Sequence, residues 1–92
     1  MEIGLKRGRL TARIETLGGE LVSLQDAGGT EYIWEGDPAY WSGRNPILFP
    51  IVGALKNGTV RIGDRLYEMS RHGFARRMEF VIAEQGEDWA EL

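Results

Sequence analysis

Cysteine is absent and histidine occurs once, at position 72. The first absence excludes disulfides, thiolate nucleophiles and cysteine-based metal sites. The second excludes a multi-histidine metal cage, so neither a metal nor another cofactor is expected. No run of about 18 apolar residues exists, and none could serve as a helical membrane span. The start of the chain lacks a basic segment followed by an apolar core, the pattern of a secretory signal. Positive charge is not in excess either: 11 Lys and Arg against 14 Asp and Glu give a net charge of −3. That balance argues against general nucleic-acid binding. Together these absences predict a cytoplasmic protein with neither nucleic acid nor membrane as partner.

Helical patterning is missing as well, because no stretch repeats its apolar residues with a 3.6 period. What is present is alternation and glycine. Glycine contributes 13 of 92 residues, roughly double the usual share of about 7%, and falls mostly between apolar runs. Leu10, Ala12 and Ile14 alternate with Thr11, Arg13 and Glu15, the pattern of a half-buried strand. Gly18-Gly19 predicts a turn, and Leu21, Val22 and Leu24 a second strand ended by Gly28-Gly29. Tyr32-Ile33-Trp34 predicts a short third strand, broken by Gly36-Asp37-Pro38. Pro46 and Pro50 bracket the apolar run Ile47–Phe49. Proline cannot donate to a strand ladder, so this stretch is expected to be an edge or irregular segment. Lys56-Asn57-Gly58 reads as a turn. Gly63-Asp64 joins the alternating Val60 and Ile62 to Leu66, Tyr67 and Met69, which is a hairpin signal of type I′ or II′. Phe80, Ile82 and the region around Trp89 are expected to supply the last strands. The fold class is therefore all-β, a sandwich or barrel of mostly antiparallel strands and hairpins.

Ninety-two residues fit one domain at most. Larger sheet sandwiches run about 200–250 residues as one domain, and Trp89-Ala90-Glu91-Leu92 reads as the middle of a strand. Residues 1–92 are accordingly expected to form part of a bigger sandwich domain, truncated at the C-terminus. Open sheet edges then predict a complementing C-terminal chain or self-association.

Two groups of residues could do chemistry. In Arg71-His72-Gly73-Phe74-Ala75-Arg76-Arg77, His72 suits proton transfer near neutral pH, and Gly73 lets the backbone turn sharply or a ligand approach. Phe74 offers a flat apolar surface, and Arg76 a fixed fork of donors. In the second group, Trp41 beside Arg44 and Asn45 is a sugar-binding palette, combining stacking with hydrogen bonds to hydroxyls. On residue types alone, a solvated turn is the simpler reading of the first group and a core Trp beside a polar turn that of the second. Trp34, Tyr40 and Trp89 read as core or sheet-surface aromatics. No two acids have the spacing that would mark a carboxylate pair for glycoside hydrolysis.

Four stretches, in order, resemble the aldose 1-epimerase (mutarotase) superfamily and its LacX-like branch. They are Gly29-Thr30-Glu31-Tyr32-Ile33-Trp34, Gly36-Asp37-Pro38-Ala39-Tyr40-Trp41, Arg44-Asn45-Pro46-Ile47-Leu48-Phe49-Pro50-Ile51-Val52-Gly53 and Arg71-His72-Gly73-Phe74-Ala75-Arg76. The resemblance implies the N-terminal portion of a large galactose mutarotase-like β-sandwich, the supersandwich. It implies binding of a free hexose and cofactor-free interconversion of its α and β anomers. A general base takes the anomeric proton, a general acid protonates the ring oxygen, and the opened sugar closes on its other face. By resemblance His72 matches the earlier of two active-site histidines and would be catalytic. Arg44, Arg76, Trp41, Asn45 and Phe74 would bind substrate, and Arg76 leaves a phosphorylated sugar open. At Ala54 the wider superfamily often carries Arg, and here a methyl replaces that guanidinium. The family's second histidine and its base glutamate would fall beyond Leu92. The alternatives are a non-catalytic carbohydrate-binding fragment and an inactive truncated product.

Overall fold

A computed structural model describes residues 1–92. Its best-formed part is a three-stranded antiparallel sheet of β1 (Glu2–Arg7), β2 (Leu10–Glu15) and β3 (Glu20–Gln25), in the order β1-β2-β3. The register puts Ile3 opposite Ile14 and Leu5 opposite Ala12. Across the next seam Ala12 faces Leu24 and Ile14 faces Leu21. Directly opposed residues share a face, so Ile3, Leu5, Ala12, Ile14, Leu21 and Leu24 form one apolar surface. Leu21 and Leu24 are three residues apart, and strict alternation would place them on opposite faces. A register shift between Arg13 and Ile14 adds Val22 as an extra residue and brings both onto the same side. This bulge also buries Val22 and Ser23 side by side.

The turns follow from local chemistry. Gly8 joins β1 to β2 with φ 59°, and Gly63 joins β4 (Thr59–Ile62) to β5 (Arg65–Glu68) with φ 61°. In both, only the first central residue has positive φ, the sign pattern of a type II′ hairpin turn. Asn57 and Gly58 both have positive φ, and Thr59 N–H donates to Lys56 O. This is the Asn-Gly pattern of a type I′ turn. A last short pair, β6 (Glu84–Gln85) with β7 (Ala90–Glu91), closes around Gly86–Trp89. It leans on the free edge of β1 through Lys6 N–H donating to Glu87 O at 2.8 Å.

The antiparallel all-β class is as expected, with three differences in its elements. β1 was not anticipated, although Ile3 and Leu5 alternate with Gly4 and Lys6. Tyr32–Trp34 is no strand, and the chain bends at Ile33. Only Glu31 bridges to Gln25, and the Glu31 carboxylate occupies the adjoining donors, accepting from Leu24 N–H and Ile33 N–H. Phe80 and Ile82 lie outside the named strands too. Phe80 N–H donates to Thr16 O at 2.9 Å, and Leu17 makes a single bridge to Glu79.

The shape is flat, 53 × 35 × 18 Å, with a radius of gyration of 16.4 Å. A closed domain of this length would have about 13 Å. Only seven residues are buried, among them Ile3, Val22 and Ala75, while Phe49, Ile62, Leu66 and Trp89 are exposed. The chain therefore builds ladders and turns around a thin core. No helix is long and apolar enough to cross a membrane.

Candidate functional site

His72 sits in a tight turn from Ser70 to Gly73, closed by Gly73 N–H donating to Ser70 O at 3.0 Å. Its φ of 64° places it where a type II turn normally puts Gly or Asn. That conformation is uncommon for a side chain with a Cβ, and it persists only when the surroundings fix it. The surroundings are the Pro-bracketed segment. His72 N–H donates to Gly53 O at 2.9 Å, and Gly53 N–H donates to His72 Nδ1, also at 2.9 Å. Phe49 O accepts from both Phe74 N–H and Ala75 N–H, at 2.9 and 3.1 Å. The backbones approach so closely that a Cβ on Gly73 would lie 2.2 Å from Phe49 O. The structure thus brings the third and fourth motifs into direct contact, through main-chain atoms.

Past Gly73 the chain makes a 3₁₀ turn, Ala75–Arg77, with Ala75 buried. Phe74 stays 43% exposed, its ring free for contact. Arg76 Nη2 donates to Arg71 O at 3.1 Å. Arg77 Nη2 donates to Ser70 Oγ at 2.7 Å and Gly73 O at 3.3 Å. Both guanidinium groups therefore brace the turn that carries His72. Arg76 keeps further donors to spare, since its fork has five N–H groups.

Trp41, Arg44 and Asn45 lie in a separate loop that packs on β3. Trp34 Nε1–H donates to Trp41 O at 2.7 Å, and Trp34 meets Tyr40 edge-to-face at 6.1 Å. The Trp41 ring lies against Gly43, where a Cβ would come within 2.5 Å of it, yet Trp41 remains 53% exposed. Arg44 Nη1 donates to Val22 O at 3.4 Å, so the β3 bulge anchors this arginine. Asn45 N–H reaches Glu20 Oε1 at 3.4 Å. Arg44 lines a concavity of about 360 Å³ with Arg13, Ser42 and the acids Glu2, Glu15 and Glu20. No hydrogen bond or shared cavity joins these residues to His72, which is half-buried and lines none of the concavities of the chain.

The shifted acids lie elsewhere, in the 26–33 loop. The Ser23 hydroxyl, then the Leu24 N–H, hold the Glu31 carboxyl down to about 2. The Thr30 N–H, then the Tyr32 hydroxyl, hold Asp26 below its ordinary value. Its hydrogen bond to Asp26 in turn raises the Tyr32 phenol. These groups tie the loop to β3 and serve structure. Gly53 and Phe49 escaped the sequence reading as members of the site. Both act through backbone atoms, and the closing glycine of the Pro50–Gly53 stretch was the available signal.

With the geometry in place, comparison with known proteins is specific. The aldose 1-epimerase family model matches residues 1–91. Protein LacX, chromosomal, from Lactococcus lactis subsp. lactis is 46% identical over 96% of this chain, and its plasmid counterpart 45% identical over the same share. The chain spans 31% of the length of these curated relatives. The crystal structure of a galactose mutarotase-like protein from Lactobacillus casei ATCC 334 superposes with a TM-score of 0.89 at 36% identity. It matches 95% of this chain and 30% of its own. A galactose mutarotase related enzyme from Lactobacillus acidophilus gives 0.88 at 31% identity, over 95% and 29% of the two chains. The strands and turns described here are thus those of part of a galactose mutarotase-like β-sandwich, and the chain belongs to the aldose 1-epimerase family.

Proposed function

We propose that residues 1–92 are one part of a sandwich domain that interconverts the α and β anomers of a free aldohexose, and that they contribute His72 to its pocket. Family membership supports the reaction class. The observation that carries the role of this chain is the clasp between His72 and Gly53, which fixes an imidazole two residues before the exposed Phe74. An aromatic face with a fixed polar group next to it suits a sugar, whose C–H face stacks while its oxygens hydrogen-bond. Phe74 and Trp41 are the stacking candidates. Arg44, Asn45 and Arg76 are the candidates for hydroxyl contacts, with Arg76 able to meet a phosphate on the sugar. No cofactor is part of this reading, the partners are the sugar and the polypeptide that completes the sandwich, and the compartment is the cytoplasm.

Ring opening shifts charge onto the sugar oxygens. A donor held at such an oxygen stabilises the transition state more than the ground state. The carboxylate that removes the anomeric proton and a second histidine belong, on this reading, to the rest of the fold, because His72 is the only histidine here. That same fact favours a second reading for the 92 residues alone, as a carbohydrate-binding piece without turnover.

Polarimetry of freshly dissolved α-glucose or α-galactose tests both. With the whole fold assembled, His72→Ala should lower turnover by about 10²–10³-fold, the cost of losing one such donor. Arg44→Ala should mainly raise the Michaelis constant. The 92-residue chain alone should leave the buffer rate unchanged. Near-normal turnover in His72→Ala with none in Arg44→Ala would reverse the assigned roles.

A further inference from the structure

The hydrogen bond at His72 Nδ1 has a direction, and the direction fixes what the imidazole can do. In a neutral imidazole one ring nitrogen carries the proton and the other accepts. Here Nδ1 accepts from Gly53 N–H at 2.9 Å, so the ring proton is on Nε2. We propose that the Gly53 backbone N–H is a positioning group of this site, holding His72 as the neutral Nε2–H tautomer so that it meets the sugar as a fixed hydrogen-bond donor. The part of this that concerns the sugar rests on the reading above; the tautomer does not.

Three observations carry it. First, the contact is reciprocal: His72 N–H returns a bond to Gly53 O at 2.9 Å. The imidazole is thereby held to the same residue by its own backbone. Second, the positive φ of His72 and of Gly53, 64° and 84°, lets the two residues face each other in this way. Third, the segment that supplies the N–H is itself held, because Phe49 O accepts two N–H groups from residues 74 and 75.

The polarity of the contact matters. A histidine that works as a base usually gives its second ring proton to a carboxylate or carbonyl, which raises the basicity of the working nitrogen. Gly53 offers a donor instead. To act as an acid from Nε2, the ring would first have to be protonated on Nδ1, and that proton would break the bond to Gly53. A neutral imidazole held by backbone donors can still polarise an oxygen through Nε2–H.

The test is nuclear magnetic resonance of the ¹⁵N-labelled protein, which reads the tautomer without any turnover. The expected result is a cross-hydrogen-bond coupling between the Gly53 nitrogen and His72 Nδ1, with the ring proton on Nε2. A second measurement guards against a variant that does not fold. His72→Asn keeps an acceptor near Nδ1 and tolerates the positive φ, so the Gly53 amide should remain protected from hydrogen exchange. His72→Ala removes the acceptor, and protection should fall about tenfold, the worth of one ordinary hydrogen bond. A ring proton on Nδ1, or equal Gly53 exchange in the native protein and His72→Ala, would overturn the proposal. Lack of anomerase activity in the assembled fold, with the tautomer as stated, would instead overturn the proposed function.

Discussion

The sheet β1–β3 and the segments around His72 are held together by different means. In the sheet, six apolar side chains from three strands share one face, and the ladder repeats residue by residue. Around His72 the connections are few and rest mainly on main-chain atoms: Gly53 with the His72 backbone and imidazole, Phe49 with Phe74 and Ala75, Gly18 N–H with Met78 O at 2.7 Å. A sheet face is forgiving, because its stabilisation is spread over many contacts. Main-chain clasps depend on exact approach, and a single added carbon can abolish one. Rigidity of that second kind is what a fixed catalytic donor needs.

Gly73 is where the comparison is most easily broken. A Cβ there would stand 2.2 Å from Phe49 O and 2.7 Å from Pro50 Cδ, at a φ of 70°. Gly73→Ala should therefore cost roughly 2–5 kcal/mol, the sum of left-handed backbone strain and overpacking, and should detach the His72 turn from the 47–53 segment. Gly53→Ala is the control. Its φ is also positive, at 84°, but nothing lies within 4 Å of the added carbon. Only the strain, about 1–2 kcal/mol, should appear. Urea unfolding of the two variants gives the difference directly. Equal costs would mean that the close approach at Gly73 is not what fixes the turn.

Glu31 ties the 26–33 loop to the sheet, since its carboxylate accepts from Ser23 Oγ and Leu24 N–H on β3 and from Ile33 N–H in the loop. These bonds hold it down to about 2, against an ordinary value of 4.5. Above about pH 4.5 the group is charged whether the chain is folded or not, and its contribution to stability is complete. As the pH falls from there toward 2, the unfolded chain takes up the proton first, so the contribution shrinks. Below about 2 both forms are protonated and it is gone. Glu31→Gln should flatten the acid side of the stability curve between pH 4.5 and 2, read from thermal melts. An unchanged slope would mean that the loop is held to β3 by other contacts.

How much of this could be read from the sequence follows the same division. β2 was legible because apolar and polar residues alternate, β3 because an apolar run lies between glycine turns, and the hairpin at Gly63-Asp64 and the turn at Asn57-Gly58 because their residues suit the backbone. The bulge at Val22 was not, although Leu21 and Leu24 at odd spacing hinted at a break in the alternation. Tyr32-Ile33-Trp34 looks like a strand by composition, but Glu31, one residue earlier, takes up the donors that would have extended the ladder. His72 was named as a candidate by its chemistry and by the family motif. Its partner was not, because Gly53 contributes a backbone N–H that every residue but proline possesses. Arg44 and Arg76 were named in two separate groups, joined only by the resemblance as substrate contacts, and no hydrogen bond or shared cavity joins them in the structure.

The smallest expected effect belongs to the β4–β5 hairpin. Opposed pairs Val60–Tyr67 and Ile62–Arg65 put Val60, Ile62, Arg65 and Tyr67 on one face, and Arg65 lies over the Tyr67 ring at 5.9 Å. Ile62 is 64% exposed there. A side chain that is mostly in water in the folded state gains little from folding, so Ile62→Ser should change the stability of these 92 residues by less than about 0.5 kcal/mol. If the remainder of a mutarotase-like sandwich covers this face, the same substitution in the assembled protein should cost more, on the order of 1.5–3 kcal/mol for a buried aliphatic side chain. Denaturation midpoints of the two variants, with and without the remaining polypeptide, read the contrast. A full-sized cost in the 92 residues alone would mean that they already bury this face, by closing on themselves or by pairing with a second copy. Concentration dependence of the midpoint then separates those two outcomes, because only pairing is favoured by mass action.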